Sequence, residues 1–282
     1  MSHTSKDRPS GSAFAPAALE RLAAQQLGAL DLEAYLADPA RKQAFVTPMF
    51  DVIAPRYDAF TRAFSFGMDA RWKAEALRVV AARLELVGPA PRLLDLACGT
   101  GDLAIGITRA LRSRHPGLQV LGVDASQAMT RLAQARLQGA DRDAADSVCV
   151  ATGDMSALAV PDSSVDAITA GYAVRNAPDP ALAIREAARV LKTGGTYVTL
   201  DFYRPEFAPW RVALLAYLSA AGNIVGWTWH RSPVVYGYIA RSIEHFMSWQ
   251  AFSRTLEDNG FRVLTVKRWL AGGVAMHVAE RR

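Results

Sequence analysis

The chain has 282 residues, 51% of them hydrophobic, which suits one large domain or one domain with an appendage. A net charge of +5 without any long Lys/Arg run argues against a nucleic-acid partner, although it is compatible with weak attraction to an anionic membrane surface. Cys98 and Cys149 are too far apart for zinc spacing or a disulfide framework, so a reducing, cytoplasmic compartment and no metal site are expected.

The start, "MSHTSKDRPSGSAFAP", is polar, lacks the apolar core of a secretory leader, and reads as a flexible tail. From Pro16 to about Ala37, Leu19, Leu22, Leu27 and Leu30 recur at helical spacing. An N-terminal extension, residues 1–44, partly disordered and then helical, is therefore expected ahead of a main domain over residues 45–282. The aromatic stretch that follows is broken by Pro48 and Pro55 and leads into an amphipathic helix over about Asp69 to Leu86.

After Pro91 the pattern becomes regular. "RLLDLA", "LQVLGVD", "SVCVATGD", "VDAITAGYAV" and "GTYVTLDF" read as strands. Helices are expected at Asp102 to Arg112, Gln127 to Leu137 and Pro180 to Leu191. Strands alternating with helices predict a parallel α/β sheet. Residues 204–246 interrupt the alternation and include the uncharged run Val212 to Trp229. Glycines, Asn223 and Ser219 interrupt that run, and it lies between strands of one domain. It therefore reads as a buried or membrane-touching lid rather than a membrane span. A helix near Trp249 to Asn259, ended by Gly260, and two hairpin strands close the chain.

The stretch "LLDLACGTGD" carries the most chemistry. Gly99, Thr100 and Gly101 open a G-x-G-x-x-A turn, which by itself allows a dinucleotide site. Asp95 before the turn and Asp102 after it would repel a pyrophosphate but attract an amino group. Asp124, followed by Ala125, ends the next strand, where a carboxylate can take both ribose hydroxyls. Asp154 ends the third, placed for an adenine amino group, with Met155 packing on the ring. Acids at the ends of consecutive strands describe a nucleoside joined to a zwitterion, and S-adenosylmethionine fits better than NAD.

Further blocks carry a family resemblance. "FDVIAPRYD" with "SFGMDARWK", "GYAVRNAPD" with "EAARVLKTGG", and "YGYIARSIEHF" with "GGVAMHV" resemble the ubiquinone/menaquinone-biosynthesis C-methyltransferases of the UbiE type. "LDLACGTGD" and "RVLKTGG" are generic to class I methyltransferases. The resemblance implies a Rossmann-like seven-stranded α/β sheet with helices on both faces, an inserted helical lid and a final antiparallel strand. It also implies C-methylation of a prenylated benzoquinol or naphthoquinol, with peripheral membrane contact. The chain departs from the family pattern at Thr61, usually Asn, and at Gly171, where relatives have a cofactor-touching serine. Another phenolic or lipid acceptor, an NAD-dependent oxidoreductase and a homo-oligomeric state stay open.

Carbon methylation needs an electron-rich ring, made by ionising a phenol of pKa about 10. Arg175 is the candidate for stabilising that oxygen, with Asn176 beside it. Tyr57 and His277 are candidates for proton transfer. Tyr172, Tyr236, Tyr238 and the lid tryptophans are expected to line a slot for a flat ring and its tail.

Overall fold

The computed structural model describes residues 38–65, 67–230 and 234–282. The helical segment expected from Pro16 to about Ala37 lies outside the described residues. The apolar runs after Pro91 form β1 (Arg92–Leu96), β2 (Gln119–Asp124), β3 (Val148–Thr152), β4 (Val165–Gly171), β5 (Leu191–Phe202), β6 (Phe261–Trp269) and β7 (Val274–Arg281). They make one seven-stranded sheet in the order β3-β2-β1-β4-β5-β7-β6. β1 to β5 pair in parallel, and β7 is antiparallel, as the resemblance implied, inserting between β5 and β6.

Side chains alternate across a strand, so each strand feeds two cores. Leu93 in β1 and Met276 and Val278 in β7 enter one core, while Leu94, Leu96, Ala275 and Ala279 enter the other. The first core takes Trp72 and Val80 from α3 (Asp69–Leu84), Ile105 and Ile107 from α4 (Asp102–Leu111), and Met129 and Ala133 from α5 (Gln127–Gln138). The second takes Ile184 and Ala187 from α6 (Pro180–Val190) and Phe252 and Leu256 from α9 (Trp249–Asp258). Side-chain caps fix where helices start: Ser126 accepts from Met129 N, and Asp179 accepts from Ala181 N and Leu182 N with Pro180 at the first turn.

Ahead of the sheet lie α1 (Pro39–Ile53) and α2 (Tyr57–Phe64), joined by one short 3-10 turn, Ala54–Arg56. Two expectations are corrected here. Pro48 does not break the chain but sits inside α1. A proline inside a helix forfeits a backbone hydrogen bond, and here the burial of Phe45, Val46, Met49 and Val52 outweighs that loss. The boundary expected between residues 44 and 45 runs through the same helix, whose early residues Lys42 and Gln43 already reach the strand ends. The expected lid forms as α7 (Ala208–His230) and α8 (Val234–His245), packed against each other. No helix among the described residues is long and apolar enough to cross a membrane.

Candidate active site

Three adjoining cavities lie at the carboxyl ends of the parallel strands: a large one across the ends of β1 to β4, a small one at the glycine turn after β1, and a third beneath α1 and α2. They share walls, and Tyr57 and Tyr172 line all three. Tyr172 follows β4 with φ +57°, and Ala97 follows β1 with φ +50°. Left-handed backbone at a non-glycine residue costs about 1–3 kcal/mol and collects at functional sites. Here both strained residues line the large and the small cavity.

The large cavity gathers Gly99, Asp124, Ala125, Asp154, Met155 and Gly171 from the ends of β1 to β4. Asp124 accepts from Gly99 N at 2.9 Å through one oxygen and from Ser126 N at 2.8 Å through the other. Burial pushes its carboxyl up, and those two N–H groups pull it back. Asp154 accepts from Ser156 N at 2.8 Å, which holds the turn after β3. Gly171 has little room for a side chain, because a Cβ there would sit 2.9 Å from Leu103 Cδ1. Gln43, Thr47 and Phe50 of α1 form the roof. Lys42 fastens one end of that helix by donating to the Arg175 and Ala177 carbonyls, each at 2.8 Å. Asp51 fastens the other, accepting from Ser126 Oγ at 2.5 Å. Burial, followed by the nearby Arg175 charge, lowers the Lys42 ammonium to about 8.

The small cavity holds Asp95, Thr100, Asp102 and Lys73 in its wall. Asp95 accepts from Thr169 Oγ1 at 2.6 Å and from Ala104 N at 3.1 Å. No Lys, Arg or His among the described residues pairs with it, and burial raises its carboxyl to about 7. The expectation for Asp102 is corrected. Its oxygens are taken by Lys73 at 2.8 Å and Arg136 at 2.7 Å, so it is already neutralised by the protein. Gly101 is corrected too: it lines none of the three cavities and serves as the left-handed start of α4, at φ +88°. Thr100 donates to Asp58 of α2 at 3.1 Å, tying the N-terminal block to the glycine turn.

The third cavity is mostly apolar, walled by Met49, Ile53, Phe60, Phe64, Leu218 and Ile239, among others. Its main polar feature is Arg175, buried and paired with Asp201 at 2.6 Å. Burial works against the Arg175 charge, and Asp201 more than compensates, so the guanidinium stays cationic. Among the described residues Arg175 Nε and the Tyr172 hydroxyl have no hydrogen-bond partner, though both are buried, and both residues face this cavity. Unpaired buried donors are costly, and these two belong to residues in the wall of one cavity. Burial raises the Tyr57 phenol above its ordinary value, so in the free protein Tyr57 is a donor rather than a base.

Other expected acceptor residues are redistributed. Asn176 lines the large cavity instead, with its amide donating to the Tyr172 carbonyl and its oxygen accepting from Tyr238 Oη at 3.0 Å. It positions Tyr238, which is buried and lines the apolar cavity. Tyr236 falls in α8, but its side chain and that of Trp229 lie outside the described residues. Trp227 points to solvent and Trp210 donates to the Leu270 carbonyl, so neither lines the slot. His277 is also corrected. It is fully buried on the opposite face of the sheet, against Tyr203 and Phe252, and bonded to the Trp249 carbonyl and Ser253. Burial lowers its imidazole to about 4, and it lines none of the three cavities.

Several site residues escaped the sequence reading: Lys42, Gln43, Asp51, Lys73 and Asp201. Only Asp201 carried a signal, as the fourth acid to end a strand, in "TLDF". The others lie on helices, where a polar residue reads as solvent-facing. The donor set fits a sulfonium nucleoside amino acid. Asp124 and Asp154 suit a nucleoside, and Asp95 is a buried carboxylate awaiting a cation.

Residues 39–281 match the ubiE/COQ5 methyltransferase family. A demethylmenaquinone methyltransferase of Thermus thermophilus is 33% identical over 233 residues, covering 83% of this chain and all of the relative. The demethylmenaquinone methyltransferase of Lactiplantibacillus plantarum is 31% identical, covering 84% of this chain and 95% of the relative. The ubiquinone/menaquinone biosynthesis C-methyltransferase UbiE of Syntrophotalea carbinolica is 33% identical, covering 80% and 90%. In fold, the chain is similar to the geranyl diphosphate C-methyltransferase of Streptomyces coelicolor, with a TM-score of 0.55 at 18% identity over 76% of this chain and 80% of that one.

Proposed function

Since the chain belongs to the ubiE/COQ5 methyltransferase family, we propose that it methylates a ring carbon of a prenylated quinol in quinone biosynthesis, using S-adenosylmethionine. The observation that carries this reading is the meeting of the three cavities at Tyr57 and Tyr172. A nucleoside suits the large cavity, an amino-acid end the small one, and a flat apolar ring the third. When bound, the cofactor would be held at Asp124 and Asp154 of the large cavity and Asp95 of the small one, and would supply an electrophilic methyl group on a sulfonium centre.

The chain's own contribution is alignment and electrostatics. Arg175 presents a fixed charge and an unpaired Nε–H to a phenolic oxygen, which favours the oxyanion and so enriches the ring carbon. Asp201 holds the guanidinium through Oδ1 and accepts from the Arg175 backbone N at 3.1 Å through Oδ2. The Tyr172 hydroxyl is a second donor for the same oxygen. Phe202, 5.6 Å below the guanidinium, and the aromatic residues of α2 exclude water and accept a flat ring.

A prenyl tail partitions into lipid, and α7 has two suitable faces. Its buried side reaches the apolar cavity through Leu218, and its outer side exposes Val212, Ile224 and Trp227 by about two-thirds each. That outer face is the proposed contact of a peripheral enzyme with the membrane. The decisive experiment offers demethylmenaquinol and the demethylated ubiquinol precursor side by side with S-adenosylmethionine and identifies the products. Absence of a C-methylated product from either, with methylation of a simple phenol, would replace the quinol by another aromatic acceptor.

A further inference from the structure

Arg175 stands in the 3-10 turn Val174–Asn176, between β4 and α6. The turn's own backbone bonds run from Asn176 N to the Ala173 carbonyl and from Ala177 N to the Val174 carbonyl. They leave the Arg175 and Ala177 carbonyls for partners outside the turn. Both accept from Lys42 Nζ at 2.8 Å, across 133 and 135 residues. On the other side, Arg175 N donates to Asp201 Oδ2 at 3.1 Å. The Arg175 main chain is thus held from two directions, by β5 through Asp201 and by α1 through Lys42. The side chain depends on that hold. Its Nη1 donates to Asp201 Oδ1 at 2.6 Å and to the Tyr172 carbonyl at 3.2 Å, while Nε has no hydrogen-bond partner among the described residues. The guanidinium is planar, so the direction of Nε–H follows from where the turn's backbone sits.

The helix that carries Lys42 also supplies Gln43 and Thr47 to the roof of the large cavity, Met49 and Ile53 to the wall of the third, and Phe50 to both. One ammonium therefore fixes the distance between that wall and Arg175. Lys42 is half-buried in the field of the Arg175–Asp201 pair. Burial and then Arg175 lower its ammonium to about 8, with Asp201 opposing them, so it is charged at neutral pH. Two cations are thereby held against one short turn, which costs Coulomb energy that a neutral fastening would avoid. We propose that Lys42 is a positioning residue for Arg175: through the two carbonyls it sets the turn so that the unpaired Nε–H meets the acceptor oxygen beneath a seated α1. Lys42 itself lines none of the three cavities. This rests on the role proposed above for Arg175. A Lys42 that only pinned α1 would change stability and the affinity for substrates, and not the rate once both substrates are saturating.

A double-mutant cycle separates the two roles. Turnover of the full-length protein would be measured at neutral pH with saturating S-adenosylmethionine and a short-tailed quinol, demethylmenaquinol or the benzoquinol precursor, whichever is methylated. Lys42→Met should lower kcat by about 10- to 100-fold, the cost of misplacing a group by about 1 Å. The acceptor KM should stay within about 3-fold, since the lost interaction acts on the transition state. In an Arg175→Ala background the same change should lower kcat by less than about 3-fold, because the group being positioned is already gone. An unchanged kcat in Lys42→Met, or equal losses in the two backgrounds, would overturn the proposal and leave Lys42 as a fastening of α1. Should Lys42→Met not fold, Lys42→Gln, which keeps an amide donor, carries the same cycle with the same two outcomes. Unaltered turnover in Arg175→Ala alone would instead sink the role of Arg175 on which the proposal rests.

Discussion

The cavities proposed for the cofactor and the one proposed for the acceptor are built differently. The first take most of their polar atoms from short turns at the ends of β1 to β4, where each functional residue sits within a few positions of its strand. The second takes two polar groups, Tyr172 and Arg175, from the turn after β4 but most of its walls from α1, α2, β5, α7 and α8, segments up to about 190 residues apart in the chain. A turn at a strand end positions its groups by local backbone geometry. A cavity walled by remote helices depends on the packing of all of them. The cofactor half is therefore electrostatically defined and tolerant of the acceptor half, while the acceptor half turns on one buried ion pair.

The sharpest way to break this division is Arg175→Ala. Turnover should fall by about 10²- to 10³-fold, as for loss of one oxyanion donor, while S-adenosylhomocysteine affinity measured by calorimetry stays within about 3-fold. Because the change strands Asp201 in the interior, the thermal midpoint should also drop. Arg175→Lys keeps the charge but loses the planar fork, so it should fold better and remain slow. Unaltered turnover in Arg175→Ala would remove Arg175 from the chemistry, and unaltered turnover in Arg175→Lys would show that the charge alone suffices. Asp124→Ala probes the other half: cofactor affinity should weaken by about 10- to 100-fold, with the acceptor KM unchanged at saturating cofactor. A large rise in acceptor KM would show that the two halves are coupled.

A third test addresses the outer face of α7. Ile224→Ser with Trp227→Ser should weaken liposome flotation by about 10-fold or more and leave turnover on a short-tailed soluble quinol intact. Unchanged flotation would move the membrane contact elsewhere. His277 lies outside both halves and serves as the control. Its imidazole titrates near 4 in the fold against about 6.5 when unfolded. Its contribution is thus present above pH about 6.5 and lost as the pH falls toward 4, about 3 kcal/mol in all. His277→Gln should flatten the pH dependence of the denaturation midpoint across that window and leave turnover nearly unchanged. A strong loss of turnover with stability intact would return His277 to the list of proton carriers.

The parts legible from the chain were those in which one residue's role follows from its immediate neighbours. Alternating apolar runs gave away the strands, and the Gly99–Gly101 turn together with Asp95, Asp124 and Asp154 at strand ends marked the ligand edge of the sheet. The family blocks implied that the last strand is antiparallel, and only the fold showed that it inserts between β5 and β6. Less was legible wherever a charge had a remote partner. Asp102 looked like a ligand group until Lys73 and Arg136 were seen to neutralise it. His277 stood as a candidate base until the fold buried it against Tyr203, away from the three cavities.

By itself, then, the sequence determined the sheet, the ligand edge and the chemical class of the donor, because periodicity and strand-end turns are local properties of a chain. The tertiary structure alone decided which charges remain free. Asp201 pairs with Arg175 across 26 residues, Lys73 with Asp102 across 29, and Lys42 reaches the Arg175 carbonyl across 133. A buried charge is defined by what it faces after folding, and no spacing in the sequence encodes that.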